Sequence, residues 1–310
     1  MDMANKRPSN ALGGKRRGSR LARRENIAGW LFISLNLLGY IAFKLLPILF
    51  SLFLSFCNWN LISGLSGITF TGIENYKALF SDNLFFVSLR NTVIFAFISV
   101  PVEIILALIL AVILNDKIFA KSVVRLSFFI PYVSSMTAVS LIWNILYMKS
   151  FGPINMFLKS MGVANPPGWL TSSHWALASI IIMSVWQVFG YNSIILLAGL
   201  QGVDRTLYEA ADMDGAGAFV KFRKITIPML SSSLFFVAVT SIIGSFQVFT
   251  QVQIMTQGGP GSATTVLVYY IYQTAFWYNK IGYANALGWA LFVIVFIFTA
   301  IQWKFSGKSD

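Results

Sequence analysis

Polar side chains that could bind a hydroxyl-rich solute stand on two otherwise apolar stretches of this 310-residue sequence. Gln187 and Tyr191 lie four residues apart on the first stretch, as do Ser241 and Ser245 on the second, so each pair shares a helix face. Such amides and hydroxyls either join helices by hydrogen bonds or line a hydrated path, and the residues alone leave both interpretations open. The full candidate set is Gln187, Tyr191, Asn192, Ser241, Ser245, Gln247 and Gln251.

Catalytic and metal-binding chemistry finds little support in the sequence. Cys57 is the only cysteine and His174 the only histidine, so no disulfide and no Cys/His metal cluster can form within one chain. The glycine-rich segments at residues 13–14 and 258–261 lack the Lys-Ser/Thr ending of a phosphate-binding loop. We predict no catalytic residue, no metal site and no cofactor bound by this chain, since an enzyme embedded in the membrane would need a nucleophile or metal set that is missing.

The composition is typical of a polytopic membrane protein. Hydrophobic residues make up 56% of the chain, charged residues 11%, and the mean hydropathy is +0.71. A bilayer core of about 30 Å needs about 20 apolar residues per helix, because backbone polar groups must be satisfied inside the segment. We therefore predict an all-α protein with six transmembrane helices, at about residues 27–54, 91–114, 123–147, 175–197, 229–255 and 281–303.

The sequence also predicts how the chain is divided around these spans. Residues 1–26 form a basic tail that we expect to be disordered, residues 27–305 form the transmembrane domain, and residues 306–310 form a short C-terminal segment. The apolar stretch at residues 263–279 is too short for a span. We interpret it as a helix that lies at, or dips into, the membrane surface.

Basic residues indicate the orientation in the membrane. The tail, the loop at residues 117–125, the loop at residues 200–228 and the C-terminus all fall on one side of a six-span path, and this side is rich in Lys and Arg. By the positive-inside rule both termini and the 200–228 loop are cytoplasmic. The net charge of +12 thus reflects orientation and attraction to anionic lipid, and we predict no nucleic-acid partner.

Charged residues within the predicted spans are scarce. Only Glu103 and Lys44 qualify, and such residues are costly in a bilayer and often functional. Ion-coupled carriers commonly use a carboxylate relay, for which one glutamate is a narrow basis. The alternative for Glu103 is a hydrogen bond or ion pair that joins helices, and the sequence leaves its role and that of Lys44 open.

The loop at residues 200–228 interrupts the apolar sequence with a patterned polar segment. Asp204 can cap a helix, Gly215 permits a sharp turn, and residues 219–226 predict a second short helix. Pro228 suits the start of the next span, where a missing N–H costs little. Such a helix–turn–helix is either a surface element or a projection shaped to fit a cytoplasmic partner.

This loop resembles the EAA loop of the membrane subunits of bacterial ABC importers. The family pattern E-A-A, three residues, G, nine residues, I-x-x-P is met in full, and LYEAADMDGAGAFVKFRKITIPML is similar to the carbohydrate branch, although the Trp that many relatives carry near position 218 or 219 is absent. Likeness to the same branch extends over FTGIENYKALF, FFIPYVSSMTAVSLIW and TQGGPGSATTVLVYYIYQTAF, which cover nearly the whole chain after the tail. The matching loop residues are Glu209, Ala210, Ala211, Asp214, Gly215, Ile225 and Pro228.

The resemblance implies the type I importer permease fold and a mechanism. The EAA loop would act as a coupling helix seated in a groove of a separate cytoplasmic ATPase. Glu209 would make a charged contact there, Ala210 and Ala211 would permit close approach, and Gly215 would form the turn. Tyr191 and Ser241 fall at positions that line the sugar site in maltose-type relatives.

The resemblance also implies partners. These are a second, homologous permease in a heterodimer, two ATPase subunits that bind ATP and Mg, an extracytoplasmic solute-binding protein, and membrane lipid. The chain would then form half of a path for a sugar or oligosaccharide in the bacterial cytoplasmic (inner) membrane. An acidic oligosaccharide such as an alginate fragment is a candidate, because Lys44 and Arg90 could place positive charge near the external mouth. The alternative for both residues is to extend their charged ends to the membrane interface. The alternatives are an ABC permease for a non-sugar solute and an ion-coupled secondary transporter.

Overall fold

The structure, a computed structural model, describes residues 20–115 and 120–306. The predicted disordered tail up to residue 19, part of the 117–125 loop and the last four residues of the chain lie outside these ranges. The chain divides into two compact units, residues 1–53 and residues 54–310.

The first unit is helical throughout its described part. Helix α1 (Arg20–Tyr40) continues through a π turn (Ile41–Leu45) into helix α2 (Leu46–Ser55). Residues 20–26, which the sequence assigns to the disordered tail, are therefore helical, whereas the candidate membrane span begins at Ile27, as predicted. The segment RLARREN is rich in strong helix formers and contains neither Gly nor Pro, so nothing in it stops a helix from starting early.

Prolines account for two π turns of the chain. The turn at Ile41–Leu45 ends two residues before Pro47, and a second turn, Phe222–Thr226, ends two residues before Pro228. A proline ring removes an N–H and crowds the carbonyl four residues earlier, and a π turn relieves both by widening the helix. Pro228 therefore lies inside a bent helix that ends at Met229, just before α12 begins at Ser231.

The second unit begins outside the apolar spans with a two-stranded antiparallel ribbon, β1 (Cys57–Asn58) paired with β2 (Thr69–Phe70). The helices that follow are α3 (Glu74–Ser81), α4 (Asn83–Asn115), α5 (Lys121–Val133), α6 (Met136–Leu146), α7 (Pro153–Ser160), α8 (Ala176–Gln201), α9 (Arg205–Met213), α10 (Ala218–Lys221), α11 (Ile227–Met229), α12 (Ser231–Phe246), α13 (Thr250–Met255), α14 (Leu267–Tyr272) and α15 (Ile281–Ser306).

The described helices agree with a polytopic membrane protein. Four candidate spans are straight enough and apolar enough to cross a bilayer, and two bent helix pairs raise the number to six if each pair forms one span. The bent pairs are α5 with α6, at 99°, and the helix at residues 218–229 with α12, at 69°. The prediction of an all-α protein with six apolar segments is thus confirmed for the described part of the chain.

Three boundaries differ from the predicted spans. Residues 123–147 form two helices, α5 and α6, and the chain bends sharply at Ser134 and Ser135 between them. Helix α5 alone is only 13 residues long, too short to cross a bilayer by itself. Helix α4 begins at Asn83, eight residues before the predicted start at Asn91. The fifth stretch leaves the helix after Phe246, and α13 is a separate short helix.

The core lies between α4 and α8, with α12 and α5 packed beside them. Close approach of α5 to α8 depends on Gly190, where an added Cβ would collide with the backbone carbonyl of Phe128. An apolar cluster at the C-terminal ends of α4 and α8 includes Leu114, Leu200 and Leu230. This end of the bundle adjoins α9, which begins four residues after α8 ends.

Asp82 joins the elements at the opposite end of α4. Its carboxylate accepts N–H bonds from Leu84 and Phe85, at 2.9 and 3.3 Å, and therefore caps α4. Its second oxygen accepts the hydroxyl groups of Tyr270 and Tyr283, at 2.5 and 2.6 Å. Partial burial favours the neutral acid, but these hydrogen bonds outweigh it and hold the pKa of Asp82 below its usual value.

Replacement of Asp82 by Asn should destabilise the protein. The Asn side chain keeps a single carbonyl oxygen, so either the backbone N–H groups at the start of α4 or the two tyrosine hydroxyls lose their acceptor, at a cost of about 1–3 kcal/mol. We expect the melting temperature in detergent at pH 7 to fall by roughly 5 °C. Ser81→Ala is the control, because the Ser81 hydroxyl is exposed and bonds only within its own helix.

The same variant should change the response to acid. A depressed folded-state pKa contributes stability above the ordinary aspartate pKa of about 4 and loses it as the pH falls through the folded-state value. The difference in melting temperature between wild type and Asp82→Asn should therefore shrink below about pH 4. A constant difference from pH 7 to pH 3 would contradict the assignment of Asp82 as a stabilising carboxylate.

Candidate functional site

The loop at residues 200–228 contains the predicted first helix, α9. The Asp204 carboxylate accepts the backbone N–H of Thr206 at 3.0 Å, so Asp204 is the N-cap, as the sequence predicts. This hydrogen bond lowers the pKa of Asp204, which is fully exposed. The cap thus fixes where α9 starts after α8.

Gly215 forms the turn after α9. Its φ of +72° lies in the left-handed region, where glycine is favoured. The N–H of Gly215 donates to Asp212 O at 3.0 Å, and the N–H of Ala216 donates to Ala211 O at 2.8 Å. These two bonds form a Schellman motif, which satisfies the last carbonyl groups of the helix. The predicted turn at Gly215 is thus confirmed, and it depends on the positive φ of this residue.

Side-chain contacts hold the two halves of the loop together. Lys221 Nζ lies 2.6 Å from Asp212 Oδ1, and the hydroxyl groups of Tyr208 and Thr226 are 3.0 Å apart. The second half is one bent helix from residue 218 to residue 229, and so it is longer than the predicted segment at residues 219–226. The loop is therefore an ordered helix–turn–helix with its own side-chain contacts, and not an irregular connection.

The outer surface of this loop combines charge, small side chains and exposed apolar groups. Glu209 and Ala210 are exposed and Ala211 is half-buried. Met213 is 89% exposed and Phe219 is 72% exposed, which leaves two large apolar side chains without cover in this chain. Of the other predicted residues, Asp214 and Pro228 are exposed and Ile225 is half-buried.

A polar stripe runs along one face of α8. Ser184, Gln187 and Tyr191 share this face, because they follow the i, i+3, i+7 spacing. Gln251 of α13 donates to Ser184 Oγ at 3.3 Å, which joins the two helices. Gln187 is 4% exposed, and its Oε1 atom has no hydrogen-bond partner among the described residues.

Tyr191 ends this stripe in an aromatic stack. Its ring lies 4.0 Å from that of Tyr132 at the end of α5, and the two rings are nearly parallel. Phe129 lies beside the pair. The sequence analysis did not predict Tyr132 or Ser184. The i, i+3 spacing to Gln187 could have indicated Ser184 in the sequence. Tyr132 faces Tyr191 because α5 packs against α8, a tertiary contact that the sequence alone does not show.

Asn192 points to a different neighbour. Adjacent residues on a helix differ by about 100°, so Asn192 leaves the stripe and meets α12. Its amide donates to Ser241 Oγ at 3.0 Å. Glu103 of α4 lies close to Ser241. All three residues are at most 8% exposed.

Two predicted pathway residues have a different placement. The Ser245 hydroxyl donates to Ile242 O in its own helix, one turn from Ser241. Gln247 is the exposed C-cap of α12, which ends well before residue 255, the predicted end of the fifth span. Among the described residues no group of three His, Cys, Asp or Glu side chains could hold a metal ion.

A family model described as the binding-protein-dependent transport system inner membrane component matches residues 89–306 of this chain. The chain belongs to that family. This confirms the likeness inferred from the loop motif and makes the protein a membrane component of a transport system.

Individual relatives are similar over nearly the full length. The chain is 37% identical to the lactose transport system permease protein LacF of Rhizobium radiobacter, over 92% of this chain and 95% of the relative. It is 33% identical to the trehalose/maltose transport system permease protein MalF of Thermococcus litoralis, over 92% and 96%.

A solved structure supports the fold. The crystal structure of a bacterial alginate ABC transporter, in complex with an alginate pentasaccharide-bound periplasmic protein, contains a chain that aligns with a TM-score of 0.75 at 20% identity. The alignment covers 92% of this chain and 96% of that chain. The ABC importer permease fold predicted from the sequence is therefore confirmed.

The turn at Gly215 can be tested by a matched pair of variants. Gly215 and Gly217 both leave open space for a Cβ atom, but only Gly215 has a positive φ. Gly215→Val should therefore strain the backbone by about 1–2 kcal/mol, Gly215→Asn should be better tolerated, and Gly217→Val should act as the control. Limited proteolysis within residues 205–229 of the purified protein should be faster only in Gly215→Val. Equal cleavage of the two Val variants would contradict the turn.

Proposed function

We propose that this chain is a permease subunit of an ATP-driven, binding-protein-dependent importer of a sugar or oligosaccharide. It forms half of the transmembrane path, and a second, homologous permease forms the other half. Two separate cytoplasmic ATPase subunits bind ATP and Mg, and this chain itself performs no hydrolysis. Both termini and the 200–228 loop face the cytoplasm.

The observation that carries this proposal is the geometry of the 200–228 loop in a chain of this family. A short helix, capped at Asp204 and closed at Gly215, presents Glu209, Ala210 and Ala211 outward. Small side chains let a helix enter a groove, and Met213 and Phe219 supply apolar surface for a protein partner. We call residues 205–213 the coupling helix, and its partner is the ATPase.

The relatives support carbohydrate as the substrate class. The names of LacF and MalF refer to lactose, trehalose and maltose, and the alginate transporter shows that this fold also serves an acidic oligosaccharide. The polar stripe at Ser184, Gln187 and Tyr191 fits the same class, because amides, hydroxyls and aromatic faces are groups that bind sugar rings.

The binding protein meets the end of the bundle remote from the coupling helix. A cavity of about 540 Å³ opens there beside α3, with Glu74, Asp82 and Lys280 among its lining residues. The periplasmic protein in the alginate structure supports this partner. A permease for a non-sugar solute remains the second candidate, which the identity of the binding protein would decide.

The proposal is tested on the assembled complex. When the tagged protein is purified from its native membrane in mild detergent, a second permease and an ATPase should co-purify with it. Binding protein loaded with its ligand should then stimulate ATP hydrolysis by this complex. In the Glu209→Lys complex this stimulation should fall by at least about tenfold, because a charge reversal at a desolvated contact costs 1.4 kcal/mol or more. Glu209→Gln should lose less, since it removes charge without reversing it.

Two results would contradict the proposal. Equal stimulation in wild type and Glu209→Lys would remove the coupling role. A lone chain that drives uptake with an ion gradient would point to secondary transport. The amount of complex recovered is the control for assembly.

The stacked rings of Tyr132 and Tyr191 provide a test of the proposed solute path. Tyr191→Phe keeps the ring against Tyr132, whereas Tyr191→Ala removes it. A stacked aromatic contact contributes about 0.5–1.5 kcal/mol, so Tyr191→Ala should lower carbohydrate uptake roughly threefold to tenfold while basal hydrolysis is retained. Uptake of lactose, maltose and an alginate oligosaccharide would be measured in proteoliposomes. Loss of basal hydrolysis in Tyr191→Ala would mean that the ring serves the fold instead.

A further inference from the structure

The loop between α6 and α8 carries an exposed apolar surface around helix α7. Four large apolar side chains there have little cover from the described chain, although the loop lies outside the predicted spans. Large exposed apolar patches usually mark a contact with another protein or with a membrane. The exposed fractions lie between 59% and 69%, for Phe151, Met156, Phe157 and Met161. We call these four residues the α7 patch.

The inner side of the loop is fixed by hydrogen bonds, so the α7 patch has a defined direction. The buried Asn155 amide donates to the carbonyl groups of Lys149 and Pro167, both at 3.1 Å. Its oxygen accepts the indole N–H of Trp169 at 2.7 Å. The Trp169 carbonyl accepts the hydroxyl of Ser179, in the first turn of α8, at 2.9 Å. These bonds hold α7 at the end of α6 and the start of α8, and the patch faces outward.

The charges of the loop indicate what covers the α7 patch. Residues 148–175 contain two lysines and no aspartate or glutamate. Lys149 and Lys159 are both exposed, and neither forms an ion pair with another residue in the described part of the chain. Met156 and Lys159 are neighbours on α7 at i and i+3, so positive charge borders the apolar surface. An apolar face flanked by lysines is typical of a helix that lies in a membrane interface.

The position of the loop supports the same assignment. It joins two helices of apolar segments at the end of α8 that is remote from the coupling helix. Trp169 and Trp175 pack edge to face with ring centroids 5.5 Å apart, and His174 lies 5.6 Å from Trp175. Aromatic side chains with one polar edge concentrate at the boundary between bilayer and water. A protein partner would need acidic groups to match the lysines, whereas anionic lipid supplies that charge at the boundary itself.

We propose that α7 is an interfacial anchor: the α7 patch enters the lipid boundary, and Lys149 and Lys159 bind anionic lipid headgroups there. Lysine stems extend along apolar surface and place the ammonium group among the headgroups. The hydrogen bonds through Asn155 and Trp169 connect the anchor to the start of α8, the helix that carries the polar stripe. The anchor requires only that the chain lies in a membrane, so it depends neither on the solute nor on the ATPase.

Site-specific photo-crosslinking of the assembled complex in its native membrane tests the anchor. The Phe157→p-benzoylphenylalanine variant places a group at the α7 patch that reacts with nearby C–H bonds on irradiation. We expect mass spectrometry to find phospholipid attached to this chain at position 157. The amount of complex recovered before irradiation is the control for assembly.

A matched variant on the coupling loop separates this inference from the proposed function. Phe219 is also an exposed phenylalanine, and Phe219→p-benzoylphenylalanine should attach to a protein, the ATPase. If the Phe219 variant attaches to no protein, the proposed coupling role fails. The product at position 157 still decides the anchor in that case.

Lipid selectivity tests the two lysines. In nanodiscs with equal amounts of phosphatidylglycerol and phosphatidylethanolamine, the complex with Met156→p-benzoylphenylalanine should attach to phosphatidylglycerol about fivefold more often. This is the factor expected for one lysine near an anionic surface. Adding Lys149→Gln/Lys159→Gln should reduce the preference to less than about twofold. Adding Lys77→Gln is the matched control and should leave it unchanged, because Lys77 is an exposed lysine on α3.

Three results would overturn the proposal. Attachment of the Phe157 variant to the second permease or to the binding protein would make the α7 patch a protein interface. No attachment at positions 156 and 157 would place the patch in water. Equal attachment to both lipids, or a preference that survives Lys149→Gln/Lys159→Gln, would remove the headgroup contacts.

Discussion

A polar group inside a membrane must find its partner within the protein, and this constraint shapes both the helices and the path. Where Pro47 and Pro228 remove an N–H, a π turn precedes each of them. Where polar side chains enter the core, Asn192 meets Ser241 and Gln251 meets Ser184. Each of these pairs joins two helices, so the hydrogen bond that satisfies a buried polar group also holds the helices together.

The coupling helix lies close in sequence to the hydrogen bond between Asn192 and Ser241. Asn192 precedes Asp204 by 12 residues on α8 and the turn after it, and Ser241 follows Pro228 by 13 residues across the 69° bend before α12. Between them the apolar cluster at Leu196, Leu200 and Leu230 is fully or nearly fully buried. A close-packed interior transmits displacement instead of absorbing it. In the proposed transporter, a movement of the loop would therefore be passed through these packed helix ends to the solute path.

The sequence predicts the local features well and the tertiary ones poorly. Hydropathy indicates the apolar segments, Asp204 indicates the cap, and Gly215 indicates the turn, because each depends on a few neighbouring residues. The bend after α5 and the end of α12 at Phe246 depend on packing against distant segments, and apolar sequence continues through both. Hydropathy cannot detect such breaks, since a buried loop and a span have similar composition.

The two interpretations of the polar residues prove to be complementary. Asn192 and Ser241 pair with each other, which is the helix-joining role, although the family resemblance places Ser241 at the sugar site. On the neighbouring face, the carbonyl oxygen of Gln187 is buried without a partner in the described chain. An unsatisfied buried acceptor costs about 1–3 kcal/mol, so a donor from outside the chain must offset it. Water, a solute hydroxyl or the second permease can supply that donor, and all three belong at the path. In the proposed transporter, the face of α8 that carries Gln187 is therefore the candidate for contact with solute, and the Asn192–Ser241 hydrogen bond joins α8 to α12.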